Sequence, residues 1–177
     1  MTAHTPESLD GRLAQGWGGT NPNGVHVNVL LAERGSATSA AMATTFAGPT
    51  SGFTPILVCV GPDQPSYETV NPPTLMLNKT ELDTDLLGAL AAGACQVGIA
   101  QAVLDVVAEG LLATDQSHQV FVSLWLNPEA EEHEPVRDAA RTATAAALRE
   151  AVTGRAPEDA RRLVEDRDTL THPFYGG

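Results

Sequence analysis

The sequence predicts a single α+β domain in which a four-stranded sheet packs against helices. Four short stretches have the continuous or alternating apolar pattern of strands, and alanine-rich stretches between and after them have helical spacing. The chain has 177 residues, about the length of one domain. Its residues are 42% hydrophobic but only 5% aromatic, so we expect an aliphatic core rich in alanine.

Residues 1–23 at the N-terminus are polar and rich in Gly, Thr and Pro. Such a composition is typical of a chain end that makes few packing contacts. We therefore expect a flexible tail over residues 1–19 and one domain over residues 20–177.

The first predicted strand, residues 24–31, has nearly unbroken apolar and β-branched residues, as a strand deep in a sheet requires. Because side chains alternate across a strand, His26 and Asn28 lie on one face and the valines lie on the other. An imidazole and a carboxamide side by side on a rigid element are suited to hold a reacting group. The alternative is a buried histidine that is hydrogen-bonded to a backbone carbonyl.

The next elements follow from local patterns. Residues 37–47 predict a short helix, with Met42 and Phe46 one turn apart and Gly48-Pro49 at its end. Residues 53–60 and 74–82 predict the second and third strands. Alternation along the third strand places Lys79 and Glu81 on the same face.

The second half of the chain is mostly helical. A helix over 83–110 begins with an Asp-Thr-Asp cap and ends at Gly110, and residues 120–126 predict the fourth strand. Pro128 predicts the start of a helical region. Two further helices are expected over 136–152 and 157–165, and we expect Phe174 in the C-terminal tail to dock against the domain.

Charge and residue usage exclude several classes of function. The net charge of −12 would repel nucleic acids and anionic membranes, so neither is an expected partner. Residues 86–104 carry no charge but are too weakly apolar for membrane insertion, and the N-terminus does not resemble a secretory signal. We therefore expect a cytoplasmic protein with Cys59 and Cys95 as reduced core residues. No residue spacing is typical of a metal site, so we expect no metal.

Lys79 is unusual in this composition. It is the only lysine among the ten basic residues, the others being arginine. Lysine and arginine differ in geometry, hydration and nucleophilicity, so this choice indicates a chemical role, with a small anion or a carbonyl as its target. The alternative is an ordinary surface lysine.

Several motifs together resemble the formaldehyde-activating enzymes. The resemblance extends over about residues 20–175 and keeps the order and approximate spacing of the motifs. They are Asn-Gly-Val-His-Val-Asn-Val at 23–29, Gly-Phe-Thr at 52–54, Pro-Thr-Leu-Met-Leu-Asn-Lys at 73–79, Gly93 with Gln96, Val-Ala-Glu-Gly at 107–110, Pro-Glu-Ala at 128–130 and Thr-His-Pro-Phe at 171–174.

The resemblance implies both a fold and an activity. It implies an α+β fold like the second domain of ribosomal protein S5 and a homopentamer that binds its pterin between neighbouring subunits. The implied reaction joins formaldehyde to tetrahydromethanopterin, or a related reduced pterin, to give the 5,10-methylene derivative and water, with His26 as general acid and base. The positions that the resemblance assigns to pterin contacts are Asn28, Leu57, Lys79, Glu81 and Gln96.

Two of these positions depart from the family pattern. Asn28 replaces the usual Asp and cannot raise the pKa of His26 as a carboxylate would. Glu81 replaces the usual Thr and could neutralise Lys79 on the same predicted strand face. Two alternatives to the family activity therefore stay open: a non-catalytic oligomeric paralogue that binds a pterin or an aldehyde adduct, and an enzyme with a different amine acceptor.

A second observation predicts self-association. The helix over 136–152 has too many alanines to bury on one narrow stripe, and small residues allow helices to approach closely. This pattern favours a closed oligomer.

Overall fold

The computed structural model describes residues 8–48 and 53–176, which form a mixed five-stranded sheet with helices packed on it. The strand order is β1-β2-β7-β6-β3, with β6 and β7 parallel and the other neighbours antiparallel. The strands are β1 Leu13–Gly18, β2 Val25–Glu33, β3 Thr54–Leu57, β4 Cys59–Val60, β5 Glu68–Thr69, β6 Thr74–Asn78 and β7 His118–Leu126. The helices are α1 Ala37–Ala47, α2 Asp85–Ala89, α3 Gln96–Ala108, α4 His133–Thr153 and α5 Pro157–Glu165, with a π-helical segment Leu90–Cys95 and two 3₁₀ turns, Gln64–Ser66 and Arg167–Thr169.

The α+β class is confirmed, but the expected number of four strands is wrong. The fifth strand is β1, which lies within the region expected to be a flexible tail and pairs with β2 along its whole length. Residues 1–7 of that expected tail lie outside the described residues. The low strand propensity of Gly16 and Gly18 obscured β1 in the sequence.

The predicted second strand is divided at Val58. The backbone N–H of Val58 donates to Thr74 O of β6, whereas Val58 O accepts from the N–H of Val70. The chain thus leaves β6 at this residue and forms the separate β4–β5 hairpin. The prediction of one continuous strand over residues 53–60 was therefore wrong.

The predicted third strand ends earlier than expected, at Asn78. The Asn78 amide binds both backbone groups of Thr80, with Nδ2 donating to Thr80 O at 2.7 Å and Oδ1 accepting from Thr80 N at 3.2 Å. This local ring turns the backbone away from the sheet direction. Glu81 therefore does not continue the strand alternation that would have placed it beside Lys79.

The helix boundaries agree with the sequence prediction at most ends and differ at the start of α4. The predicted bounds of α1 and α5 are confirmed, as is the end of α4 at Gly154. The expected helical start at Pro128 is wrong, because α4 begins at His133. Asn23 Oδ1 accepts the N–H groups of Glu131 and Glu132, so these groups are held by another segment just before the helix begins.

The helical segment Asp85–Ala108 is long and apolar enough to cross a bilayer, yet 61% of its most apolar window is buried within the protein. It includes Cys95, which is fully buried as expected, whereas Cys59 is only partly buried. Burial raises the pKa of the Cys95 thiol to about 12, which keeps it an unreactive thiol.

The alanines of α4 are explained by packing within the chain. Six of the seven alanines of residues 136–152 are buried here, and only Ala146 is exposed. They allow α4 to lie close to α3 and β1, where a Cβ added at Gly16 or Gly18 would overlap the carbonyl oxygens of Ala143 and Ala139. The alanine content of α4 is therefore no argument for an oligomer.

This close packing gives a testable prediction. We expect Gly16→Ala to destabilise the protein by roughly 1–3 kcal/mol, since a new Cβ must displace the α4 backbone. The matched variant Gly88→Ala adds a Cβ in open space on a helix, where it should be neutral or slightly stabilising. Thermal unfolding checks this. Equal melting temperatures for the two variants would contradict the close approach of β1 to α4.

Candidate functional site

The sheet has one face covered by α3 and α4 and an opposite face on which strand registers align side chains in rows. The first row is apolar and crosses all five strands. The second row is mainly polar, and the third is aromatic and basic. The first row is Leu13, Leu30, Phe121, Leu75 and Leu57; the second is Gln15, Asn28, Ser123, Leu77 and Pro55; the third is Trp17, His26 and Trp125, with Lys79 next to Trp125 beyond the end of β6.

The third row forms the floor of a cavity of about 670 Å³. Its other wall is the C-terminal segment, which returns over the sheet and closes on itself through paired backbone hydrogen bonds between His172 and Gly176. The Phe174 ring lies 5.4 Å from that of Trp17 and 5.6 Å from that of Trp125, so the expected docking of this aromatic residue is confirmed. The lining residues are Gln15, Trp17, His26, Lys79, Trp125, His172, Pro173, Phe174 and Tyr175.

His26 lies in this cavity and is only partly buried. Its Nε2 is 3.1 Å from Oε1 of Gln15, on the neighbouring strand β1. The alternative expectation, a buried His26 hydrogen-bonded to a backbone carbonyl, is therefore wrong. With an amide oxygen at Nε2, the neutral ring carries its proton there and leaves Nδ1 as the basic nitrogen. Burial, then the charge of Lys79, then that of His172 hold the pKa of His26 below its ordinary value.

Lys79 reaches across β7 to the strand that carries His26. Its backbone N–H still bonds Leu124 O, and its Nζ donates to Oδ1 of Asn28 at 3.3 Å. Burial lowers the pKa of its ammonium. Among the described contacts, Lys79 has no ion pair with Glu81, so the expected salt bridge is not formed.

The structure brings His26 and Lys79 into one cavity, with Asn28 bound to Lys79. The other three expected pterin contacts lie elsewhere in this subunit. Leu57 ends the edge strand β3 and is 37% exposed, and Glu81 is exposed beyond β6. Gln96 is buried at the start of α3, where Oε1 accepts from Cys59 N and Nε2 donates to Ala92 O.

Sequence reasoning missed several cavity residues, among them both tryptophans of the chain. The alternation of Leu13, Gln15 and Trp17 could have revealed β1, since these side chains share one face. Nothing local could have placed His172 opposite His26, because the two are far apart in sequence. In the part of the chain that the structure describes, no group of three or more His, Cys, Asp or Glu residues is arranged to hold a metal ion.

The chain is similar to known proteins over most of its length. Residues 16–175 match the family model described as formaldehyde-activating enzyme. The chain is 31% identical over 159 residues to the 5,6,7,8-tetrahydromethanopterin hydro-lyase of Methanosarcina barkeri, covering 88% of this chain and 85% of that protein.

Larger relatives share the same region. The bifunctional enzyme Fae/Hps of Methanosarcina acetivorans is 28% identical over 153 residues, covering 85% of this chain and 38% of the relative. The corresponding enzyme of Methanothrix thermoacetophila is 24% identical over 160 residues, covering 89% and 39%. The chain thus spans well under half of the bifunctional relatives and most of the hydro-lyase.

Proposed function

The chain belongs to the formaldehyde-activating enzyme family, and on that premise we propose that it condenses formaldehyde with tetrahydromethanopterin or a related reduced pterin. The product is the 5,10-methylene pterin, and the oxygen of formaldehyde leaves as water. The observation that carries this proposal is the position of His26, whose imidazole lies in a cavity lined by aromatic rings beside the ammonium of Lys79. No metal is required by this chemistry.

The cavity fits the proposed reactants. A volume of about 670 Å³ lies within the usual range for small-molecule sites. The faces of Trp17 and Trp125 suit a flat pterin ring, since offset aromatic stacking is favourable. The described lining residues include Lys79 and two histidines but no carboxylate, so the cavity is a basic site on a chain of net charge −12. An acidic carrier is attracted by such a local charge.

The proposed role of His26 is proton transfer. When an amine adds to formaldehyde, the nitrogen loses a proton and the oxygen gains one, which gives a carbinolamine. The hydroxyl must then gain a second proton to leave as water. An imidazole whose pKa lies below its ordinary value is neutral at physiological pH, so it can accept the proton that leaves nitrogen and pass it to oxygen. After it takes up a proton from solvent, the same ring can protonate the hydroxyl.

The substituted positions do not favour a binding-only protein. The main argument for that alternative was a Glu81 that neutralises Lys79, whereas the ammonium lies against Asn28. Asn28 is uncharged, so its contact leaves the positive charge available to a ligand. A different amine acceptor and a role in binding an aldehyde adduct remain as alternatives that the activity assay separates.

The direct test follows [¹³C]formaldehyde by NMR in the presence of tetrahydromethanopterin. The expected result is enzyme-dependent transfer of the label to a methylene carbon bonded to two nitrogens. Tight pterin binding without label transfer would support the non-catalytic alternative. Transfer to another amine and not to the pterin would support a different acceptor.

We also propose a ring-shaped homo-oligomer, a pentamer in line with the resemblance, with each subunit having a fold of the ribosomal protein S5 domain 2 type. The apolar first row supports this, since Leu13 is 71% and Leu57 37% exposed at its two ends. Leu57 and Glu81, which are exposed and do not line the cavity of their own subunit, are then available to the site of a neighbouring subunit. We also propose that the chain forms a single domain and that the protein is located in the cytoplasm.

The expected mass in light scattering at micromolar concentration is a multiple of 18.5 kDa. Leu57→Asp should reduce that mass, because an unpaired charge would be placed in the interface. Leu163→Asp, on the exposed face of α5, is the matched control for an exposed leucine. A wild-type monomer would rule out a site shared between subunits.

A further inference from the structure

The C-terminal segment brings a second imidazole, that of His172, into the cavity of His26. The segment is held there by Phe174, whose ring contacts both tryptophans of the sheet face. It is also closed by backbone hydrogen bonds in both directions between His172 and Gly176, at 3.2 and 2.9 Å. His172 is therefore carried by a docked and hydrogen-bonded turn.

The local geometry of this turn determines the tautomer of His172. Its Nδ1 is 3.2 Å from the backbone N of Phe174 and 3.2 Å from that of Tyr175, and both N–H groups donate to it. A ring nitrogen that accepts hydrogen bonds carries no proton, so the proton of the neutral ring is on Nε2. The Tyr175 ring, with its centroid 4.8 Å from that of His172, packs beside the imidazole.

The two histidines of the cavity thus present opposite nitrogens. His26 has its Nε2–H directed to Gln15 and keeps a basic Nδ1, whereas His172 has its Nδ1 engaged and keeps an Nε2–H donor. One ring offers a proton acceptor and the other a hydrogen-bond donor. The proposed reaction needs both, because a proton leaves nitrogen while charge develops on oxygen.

On the basis of the proposed function, we infer that His172 is a second catalytic residue, whose Nε2–H donates a hydrogen bond to the oxygen of formaldehyde. As the N–C bond forms, the π electron pair of the carbonyl moves to this oxygen, and the donor stabilises the developing negative charge. His26 takes the amine proton and returns it to this oxygen, which gives the carbinolamine hydroxyl. A second proton, supplied from solvent, allows the C–O bond to break with loss of water. The second pterin nitrogen then closes the ring by adding to the carbon, and the proton that it loses replaces the one taken from solvent.

The atoms and electrons balance without any further reactant. One formaldehyde and two N–H groups give one N–CH₂–N unit and one water, and no oxidant or reductant is needed. A neutral imidazole is known to act as an electrophilic donor in this way when its surroundings disfavour protonation. Burial and the neighbouring Lys79 and His172 lower the pKa of His26, which favours the neutral form of its ring.

The test compares steady-state kinetics of His172→Ala, His172→Gln and the surface control His133→Ala. We expect His172→Ala to lower kcat about 10²- to 10³-fold, the usual cost of removing an oxyanion donor. His172→Gln retains an N–H donor and should keep more of the activity, and His133→Ala should match the wild type. Loss confined to KM, or equal loss in the Ala and Gln variants, would mean that His172 only helps to dock the segment and would overturn the inference.

The result of the His172 test can be distinguished from the result of the activity assay that tests the proposed function. Wild-type turnover of formaldehyde and pterin with an unchanged kcat in His172→Ala would overturn the role of His172 alone, whereas an inactive wild type would overturn both. ¹⁵N-detected NMR of the free protein provides an independent readout. It should show His172 as the Nε2–H tautomer, and a Nδ1–H tautomer would also overturn the inference.

Discussion

Replacing His26 by alanine is expected to lower turnover about 10²- to 10⁴-fold, the range for loss of a proton-transfer group. The melting temperature should change little, because the His26 side chain is partly exposed and its hydrogen-bond partner among the described residues is the Gln15 side chain. Turnover is measured as pterin-dependent consumption of formaldehyde.

The matched control is His118→Ala. His118 is a histidine at the other end of the same sheet, where it contacts Ser117. It should leave turnover unchanged. If His26→Ala unfolds the protein, or if both variants lose activity equally, His26 is a structural residue and the proton-transfer role fails.

The pH dependence gives a further check on His26 within the same experiment. Its pKa lies below the ordinary value, and the neutral ring is the form that accepts a proton. The value of kcat/KM should therefore be constant near neutrality and fall only on the acid side, as the imidazole becomes protonated. Loss of activity as the pH rises through neutrality would contradict this assignment.

Replacing Lys79 by methionine should raise the KM for the pterin about 10- to 100-fold, which corresponds to the roughly 1.5–3 kcal/mol of a hydrogen bond to a charged group. Methionine keeps an apolar chain of similar length, so packing is largely retained. The change should also raise the pKa of His26, because a neighbouring positive charge that opposes protonation is removed. The acid limb of the kcat/KM profile should then move to higher pH.

Glu81→Thr is the informative counterpart of Lys79→Met. Glu81 is exposed and does not pair with Lys79 among the described contacts, so this variant should not move the pKa of His26. If Glu81→Thr instead improves pterin affinity strongly, Glu81 acts on the site of a neighbouring subunit. An unchanged KM in Lys79→Met would show that the ammonium does not contact the pterin.

Much of the fold could be predicted because its signals are local. The bounds of α1 and α5 were predicted correctly, with Gly48-Pro49 marking the end of α1. The strand β2 was equally clear, since its valines alternate with His26 and Asn28. In contrast, β1 was missed because Gly16 and Gly18 weaken its strand pattern. Those glycines are required by the α4 backbone that packs against them, a contact that no local pattern reveals.

The early end of β6 shows how a local rule can fail at the site. Strict alternation would have put Glu81 beside Lys79, but Asn78 binds the backbone of Thr80 and ends the strand. Lys79 still bonds β7 through its backbone, with its N–H donating to Leu124 O, whereas Thr80 bonds Leu126 of β7 through its side-chain hydroxyl. Its ammonium turns to Asn28, and the predicted competition between the two charges disappears.

The sequence by itself determined that His26 and Asn28 share a face, because alternation in a strand depends only on adjacent residues. Motif order was also sufficient to indicate the family, which the comparison with known proteins confirmed. Only the tertiary structure decided which groups surround His26. Trp17 and Trp125 meet it through strand register, and His172 arrives on a segment about 150 residues further along the chain. Such contacts depend on how distant segments pack, and packing is a property of the whole chain.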